Sequence, residues 1–595
     1  MKSKKRIIAF LLVLCTMISF IVLPSCSEAG DDGDKTGKGS TGVSELVTEK
    51  DTEEESEKMT EEKATQKPKD RAEILADTKF SATAYNVDEI KNADETVAGS
   101  FDAWKNEVFK GKNNNDDPTE NAVINSPFHT LRVNGESVPV YTARCGKGAH
   151  SFAWIDITSK DSEFILELEL VLSESAEKCV ILPESRGIIG EMQDGTVRSE
   201  ISKEGSYTYT FAKSAEDAYT DPTLAPLTVM VSRAEKAASS YGYKVVEIEP
   251  GYHENNELEF FEENTVYYFK AGFHDICSIG LPSNSILYLE RGAYLQVTDR
   301  KNADGSYNTA TAIHADDVSN VRVISRGLLD CGRLQGGDGK YKHVVNTARS
   351  TNVQIRGLTI INSNTWTICA YGAQYPTIER NLLLSYRTYS DGIMMSECTG
   401  GVGRYNFVRT GDDAIEFKGT GWWNGDSKAG TECLYEYNDL WTDKGAGYCL
   451  TWESERPMDK MVFKNNSVGF AQPTWTARNT AIDCLLGTNA DVSWSNITFE
   501  DIEIYRVISP NAINVQIHGD GAKLENVTFK NITVSHADDG VYAFRMHFSA
   551  KGGNISGIVL DNVTFCQKKL TADDVSNEKL FCNEAKDYFG KIIVK

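Results

Sequence analysis

The chain has 595 residues, too many for one ordinary core, so it reads as two folded units with appendages. It is 40% hydrophobic and 10% aromatic, the composition of a folded protein, and its 47 glycines against 14 prolines suit tight turns between short strands. A formal net charge of −24 excludes nucleic acid as a partner, because phosphate binding needs concentrated Lys and Arg.

In chain order, Lys2 to Arg6 is a basic start and Ile7 to Leu23 a largely apolar run, closing in Leu23-Pro24-Ser25-Cys26. That is an export signal, and a cysteine at its end resembles the lipobox of bacterial lipoproteins. The resemblance implies a mature N-terminus at a lipidated Cys26, so that the protein faces outward from a bacterial cell, membrane-bound only through this anchor. From residue 27 to about residue 75 the composition cannot order itself. Ser27 to Asp70 alone carries 14 acidic and 7 basic residues and no aromatic, which reads as a tether. Residues 76–262 carry β signals. Phe164–Leu172, Ser206–Phe211 and Leu227–Val231 alternate with period two between turn clusters, which predicts a β-sandwich. No chemically useful cluster appears there.

From residue 263 to 595 the texture becomes a repeat. Short β-branched runs, often opened by Asn-Val or Asn-Ile, recur at Asn320, Asn352, Asn496 and Asn526, with related runs at Thr377, Val402, Cys433, Met461 and Ile558. Irregular spacing around a fixed apolar phrase predicts a right-handed parallel β-helix, in which loops grow outside a constant inner stack. The fold class is therefore all-β: an N-terminal sandwich followed by a parallel β-helix. The eleven cysteines beyond the signal are scattered with no CxxC-type pair, so zinc is not expected, and Cys369, Cys398, Cys433 and Cys449 read as small buried hydrophobes.

The chemistry concentrates between Thr388 and Lys418. Ser390-Asp391-Gly392-Ile393 aligns on Asp412-Asp413-Ala414-Ile415 at an offset of 22 residues, one coil. Register then stacks Asp391 on Asp413 at the inter-strand spacing of about 4.8 Å, with Asp412 beside them. Other acid pairs, Asp316-Asp317, Asp538-Asp539 and Asp573-Asp574, read as turn residues. Glycosidic cleavage needs one protonated carboxyl and one ionised carboxylate, and crowded carboxylates force one pKa upward. Three aspartates thus suffice with no histidine, metal or cofactor. Asp391 and Asp413 hold a water between them. Asp412 points differently and is the candidate acid, with Gly411 permitting the bend this requires.

These residues resemble the N-T-D…(G/Q)-D-D signature of the β-helix polysaccharide hydrolases, which include the polygalacturonases and the dextranase/isopullulanase group, glycoside hydrolase family 49. Gly327-Leu-Leu-Asp330-Cys-Gly332, Asn362-Ser-Asn-Thr-Trp366 and Leu281-Pro-Ser-Asn284 with Tyr288–Tyr294 resemble further phrases of these families. The resemblance covers roughly residues 265–470. It implies an inverting mechanism with Asp412 as general acid and Asp391 with Asp413 activating water, at a carboxyl separation of about 6.5–9.5 Å. It also implies an N-terminal sandwich, as in the dextranase group.

The chain departs from the polygalacturonases. No histidine lies between Asp391 and His518, and no R-I-K triplet holds a uronate carboxylate, which favours a neutral α-glucan of dextran type. Lys444, Arg456 and Lys418 are the cations that could replace that clamp. Trp422, Trp423, Trp452, Lys418 and Glu416 are the candidate substrate-binding residues, the tryptophans as sugar platforms. Asp330, Asn406 and Arg409 read as supporting residues, and Trp441 as packing. The partner is a polysaccharide and the protein a monomer. Alternatives are a pectin-type or other β-helix glycosidase, a lyase (for which no base phrase exists), and a glycan-binding surface adhesin without catalysis.

Overall fold

The computed structural model describes residues 69–85, 123–145, 148–302, 304–308, 310–334, 342–421, 430–450, 453–472, 480–486, 492–548 and 553–595. The expected signal, lipidated Cys26 and tether to residue 68 lie outside the described residues, as do Trp422, Trp423 and Trp452.

Successive coils of the β-helix contribute strands to three parallel faces. The first face runs from Lys244–Ile248 through Ser319–Ser325 and Val402–Arg404 to Ile592–Val594. The second includes Ala293–Val297, Leu328–Asp330 and Phe407–Thr410. The third holds ten strands, from Ile279–Gly280 through Ile393–Ser396 and Ile415–Lys418 to Tyr542–Phe548. The stack begins at Lys244, ahead of residue 263, because Lys244–Ile248 already pairs in parallel with Thr265–Phe269.

The recurrent apolar phrases of the sequence fall on the first face, and their opening asparagines have a physical reason. Asn320, Asn352, Asn496 and Asn526 sit at φ of 56–58°, a left-handed bend that Asn tolerates better than most side chains. Their amides bond from coil to coil, Asn352 Nδ2 donating to Asn320 Oδ1 at 2.8 Å. A second, fully buried column comprises Asn381, Asn406, Asn438 and Asn466. Each amide donates to the next Oδ1 at 2.9–3.1 Å and also to a carbonyl oxygen of the preceding coil. Inside, Phe463, Phe499 and Phe529 stack at 4.5 and 5.3 Å.

The N-terminal unit consists of two sheets. The outer one, containing Leu166–Leu172, keeps the alternation of a half-exposed strand. The inner one, containing Gly205–Ala212 and Leu227–Arg233, is buried almost throughout, although its sequence also alternates. The cause is tertiary: Tyr141, Phe152, Trp154 and Met230 of this sheet pack on Tyr294, Leu328, Leu382 and Phe407 of the second helical face. Trp154 Nε1 donates to Thr359 Oγ1 at 2.8 Å, and Arg326 pairs with the fully buried Asp156 at 2.8 Å. The sandwich therefore braces one whole side of the helix.

Candidate active site

The three aspartates lie at the entry to the third face. Ile393 pairs with Ile415, and Gly392 N donates to Asp413 O at 2.9 Å, so Asp391 and Asp413 occupy the same position on successive coils. The same register places Trp366 one coil before Asp391 and His343 one before that, since Val345, Ile368 and Ile393 are partners. Their rings lie 5.1 Å apart. This aromatic end of the column escaped the sequence reading. Counting back two residues from each third-face strand would have found it.

The backbone around the acids is compressed. A Cβ on Gly411 would lie 2.1 Å from Arg387 O, one on Gly392 2.2 Å from Ala414 O, and one on Gly445 2.3 Å from Asp413 N. Real Cβ atoms do not approach so closely, and glycine is what lets adjacent coils close there. Ser390 Oγ donates to Arg387 O at 2.7 Å and accepts from Gly411 N at 2.9 Å, tying the two acid-bearing bends together.

One oxygen from each of Asp391, Asp412 and Asp413 lies within 4.8 Å of the others. These closest oxygens lie nearer than the expected acid–base separation of about 6.5–9.5 Å, because Asp412 directly precedes Asp413 in the chain and Asp391 stacks on Asp413 at the strand spacing. Asp412 is 8% exposed, and both its oxygens accept backbone N–H groups, from Asp413 at 3.0 Å and Tyr389 at 3.2 Å. Burial, then the charge of Asp413, pushes its pKa up to about 8. Asp391 is 4% exposed and its Oδ2 has no hydrogen-bond partner among the described residues. Burial first, then Glu416 and Asp412, hold its proton well above the usual carboxyl range. Burial, with crowding second, thus raises at least two acids, where one was expected from crowding.

The cations are committed elsewhere. Lys418 is 4% exposed and bridges Glu416 at 3.0 Å and Glu453 at 2.9 Å, with its ammonium 4.9 Å from the Trp366 ring centre. Glu416 is buried and its carboxyl too is held well above its ordinary value, chiefly by desolvation. As a pair closed on each other, Lys418 and Glu416 form the wall of the acid site rather than a clamp open to ligand. Lys444 Nζ donates to Tyr386 O at 3.2 Å, and Arg456 lies against Gly421. Beneath the acids, Arg409 makes a buried two-pronged pair with Asp443 at 2.7 and 3.0 Å, capped by His150 from the sandwich at 3.2 Å. Asp330 accepts from Tyr294 Oη at 2.6 Å. Asn406 belongs to the asparagine column, and Trp441 is packed against Phe470.

With this geometry in place, the chain can be compared with known structures. Dex49A from Penicillium minioluteum superposes with a TM-score of 0.54 at 14% identity, over 80% of this chain and 95% of that one. This is the fold of the parallel β-helix polysaccharide hydrolases. Weaker likenesses are a family 28 exopolygalacturonase from Yersinia enterocolitica (TM-score 0.41, 14% identity, 67% of this chain and 93% of that one) and the catalytic domain of a GH87 alpha-1,3-glucanase in complex with nigerose (0.35, 13%, 79% and 85%). No family model and no curated protein sequence matches the chain.

Proposed function

We propose that the protein is a glycoside hydrolase acting on an α-glucan of dextran type. The observation that carries this reading is the convergence of three carboxyl oxygens within 4.8 Å at a site where Asp412 holds a proton at neutral pH without histidine. Asp412 protonates the leaving glycosidic oxygen. Its two backbone donors fix the carboxyl plane, so the proton is aimed rather than merely available. Asp391 and Asp413, one coil apart, hold the water, and the ionised member of the pair accepts its proton as it attacks the anomeric carbon. Support for a neutral substrate comes from Lys418, whose ammonium is already engaged by Glu416 and Glu453. The dextranase-group motifs and the fold shared with Dex49A support the same class.

A single displacement through that water inverts the anomeric centre. The short oxygen separation favours a second reading, in which the ionised member of that pair attacks directly and configuration is retained. Proton NMR of the first product from an α-linked glucan separates the two: β-anomer for inversion, α-anomer for retention. The glycosidase reading itself is tested by incubating the protein with dextran, pullulan and polygalacturonate. New reducing ends from dextran or pullulan, lost in Asp412→Asn, are expected. Release from polygalacturonate alone would overturn the substrate class, and glycan binding untouched by Asp391→Asn, with no release at all, would mark an adhesin. The lipid anchor remains a proposal, expected to show as detergent-phase partition lost in Cys26→Ala.

A further inference from the structure

A cleft lies away from the acids. It has a volume of about 940 Å³ and opens where the sandwich meets the bend between the first and second helical faces, a different corner of each coil. Its volume falls in the ordinary range for ligand sites.

On its helical wall the bend residues of successive coils form one column, Tyr405, Tyr437, Asn465, Asp501 and Asn531, which Arg380 continues beyond the cleft, in register through the strands that precede them. Arg380 lies 4.8 Å from the Tyr405 ring centre, and Tyr405 stacks on Tyr437 at 5.0 Å with planes 5° apart. The ring stack ends there, because the next position is Asn465. Tyr437 is 38% exposed, so the stack runs out at a partly open ring beside a shorter polar side chain.

We infer that this cleft is a second, non-catalytic glycan-binding site, with Tyr437 as platform and Asn465 as the hydroxyl-reading group, for a neutral oligosaccharide segment. The lining carries five carboxylates (Glu184, Glu204, Asp439, Asp501, Glu503) against Arg186 and Lys203, which repels uronates and other anions. Most of those carboxylates are occupied by the chain's own donors. Glu503 accepts from Glu184 N and Ser185 N at 2.7 and 2.9 Å, Asp439 from Arg186 at 2.8 Å, and Glu204 from Arg380 at 3.1 Å. Among the described residues, the groups left without a partner include the Asn465 amide and the Tyr437 hydroxyl, which are neutral donors and acceptors beside an aromatic ring. That combination suits a pyranose, which presents an apolar face and equatorial hydroxyls together. A polymer held here while another stretch occupies the acids is kept at high local concentration.

The test uses the full chain carrying Asp412→Asn, so that binding is read without hydrolysis, in native gels containing dextran, pullulan or polygalacturonate. Retardation by dextran or pullulan is expected, weakened up to about tenfold by Tyr437→Ala and by Asn465→Trp, with none by polygalacturonate. In the otherwise unaltered chain, Tyr437→Ala is expected to slow hydrolysis of polymer while leaving a short oligosaccharide substrate unaffected. No retardation by either glucan, equal retardation by polygalacturonate, or retardation indifferent to both variants would overturn the inference. The inference stands apart from the hydrolase reading: loss of retardation in Tyr437→Ala without any hydrolysis would keep the site and remove the enzyme.

Discussion

Replacing Asp412 by asparagine is expected to remove activity while changing stability in a pH-dependent way. Loss of a positioned general acid costs about 10²–10⁴-fold in kcat. The stability effect follows from where the proton sits. The folded chain holds the Asp412 proton to about pH 8, whereas an ordinary carboxyl releases it near 3.8. The folded state therefore binds more protons than the unfolded state across that interval, and stability falls as pH rises through it. The three or so pH units between the ordinary value and neutrality are worth about 4 kcal/mol. Asparagine cannot ionise and escapes that loss. It loses one of the two backbone hydrogen bonds, since its Nδ2 cannot accept from Tyr389 N or Asp413 N, at about 1–3 kcal/mol independent of pH. Calorimetry of both proteins at pH 4.5 and 7.5 measures the difference. The variant's Tm relative to the parent should rise by roughly 3–4 °C between the two, at about 1 °C per kcal/mol for a chain this long. A Tm difference constant with pH, or activity kept within tenfold, would refute the assignment of a retained proton to Asp412.

Lys418→Met should move the whole pH–activity profile upward by about one unit. The lysine's charge lowers the proton affinity of both Asp391 and Asp412, so both limbs titrate higher without it. An unmoved profile in a folded variant would show that the lysine does not set the charge state of the acids. Asp443→Asn should cost about 3–5 kcal/mol by chemical denaturation, because it leaves the buried Arg409 guanidinium without its counter-charge. Asn438→Ala interrupts the asparagine column, removing the acceptor of the Asn406 backbone N–H and of one of its two amide hydrogens, and one donor to Gly403 O. The expected loss is about 2–4 kcal/mol, read as a lower Tm with the activity of the surviving folded fraction unchanged.

Where a property depends on the chain's own periodicity, the residues alone determined it. The 22-residue offset between Asp391 and Asp413 sufficed to stack them, because a parallel coil maps equal phase onto equal position, and the strands confirm that pairing. Asparagines opening each phrase marked the left-handed bends for the same reason: the need for φ near +57° is local. What the sequence could not determine came from contacts between distant segments. The burial of Gly205–Ala212 on both sides depends on a helical face, where Ser206 Oγ meets Asp439, that is reached only after one more strand of the sandwich and the linker that follows, so its alternation suggested a half-exposed strand. Lys418 was expected at the substrate as a cation that could replace the missing R-I-K clamp; only the fold brings Glu453 to its other side. The proton on Asp412 was foreseen from crowding, but its hold depends on desolvation by surrounding coils, the largest contribution and one no spacing reveals. Periodicity is written along the chain, whereas the dielectric around a buried charge is a property of everything packed against it.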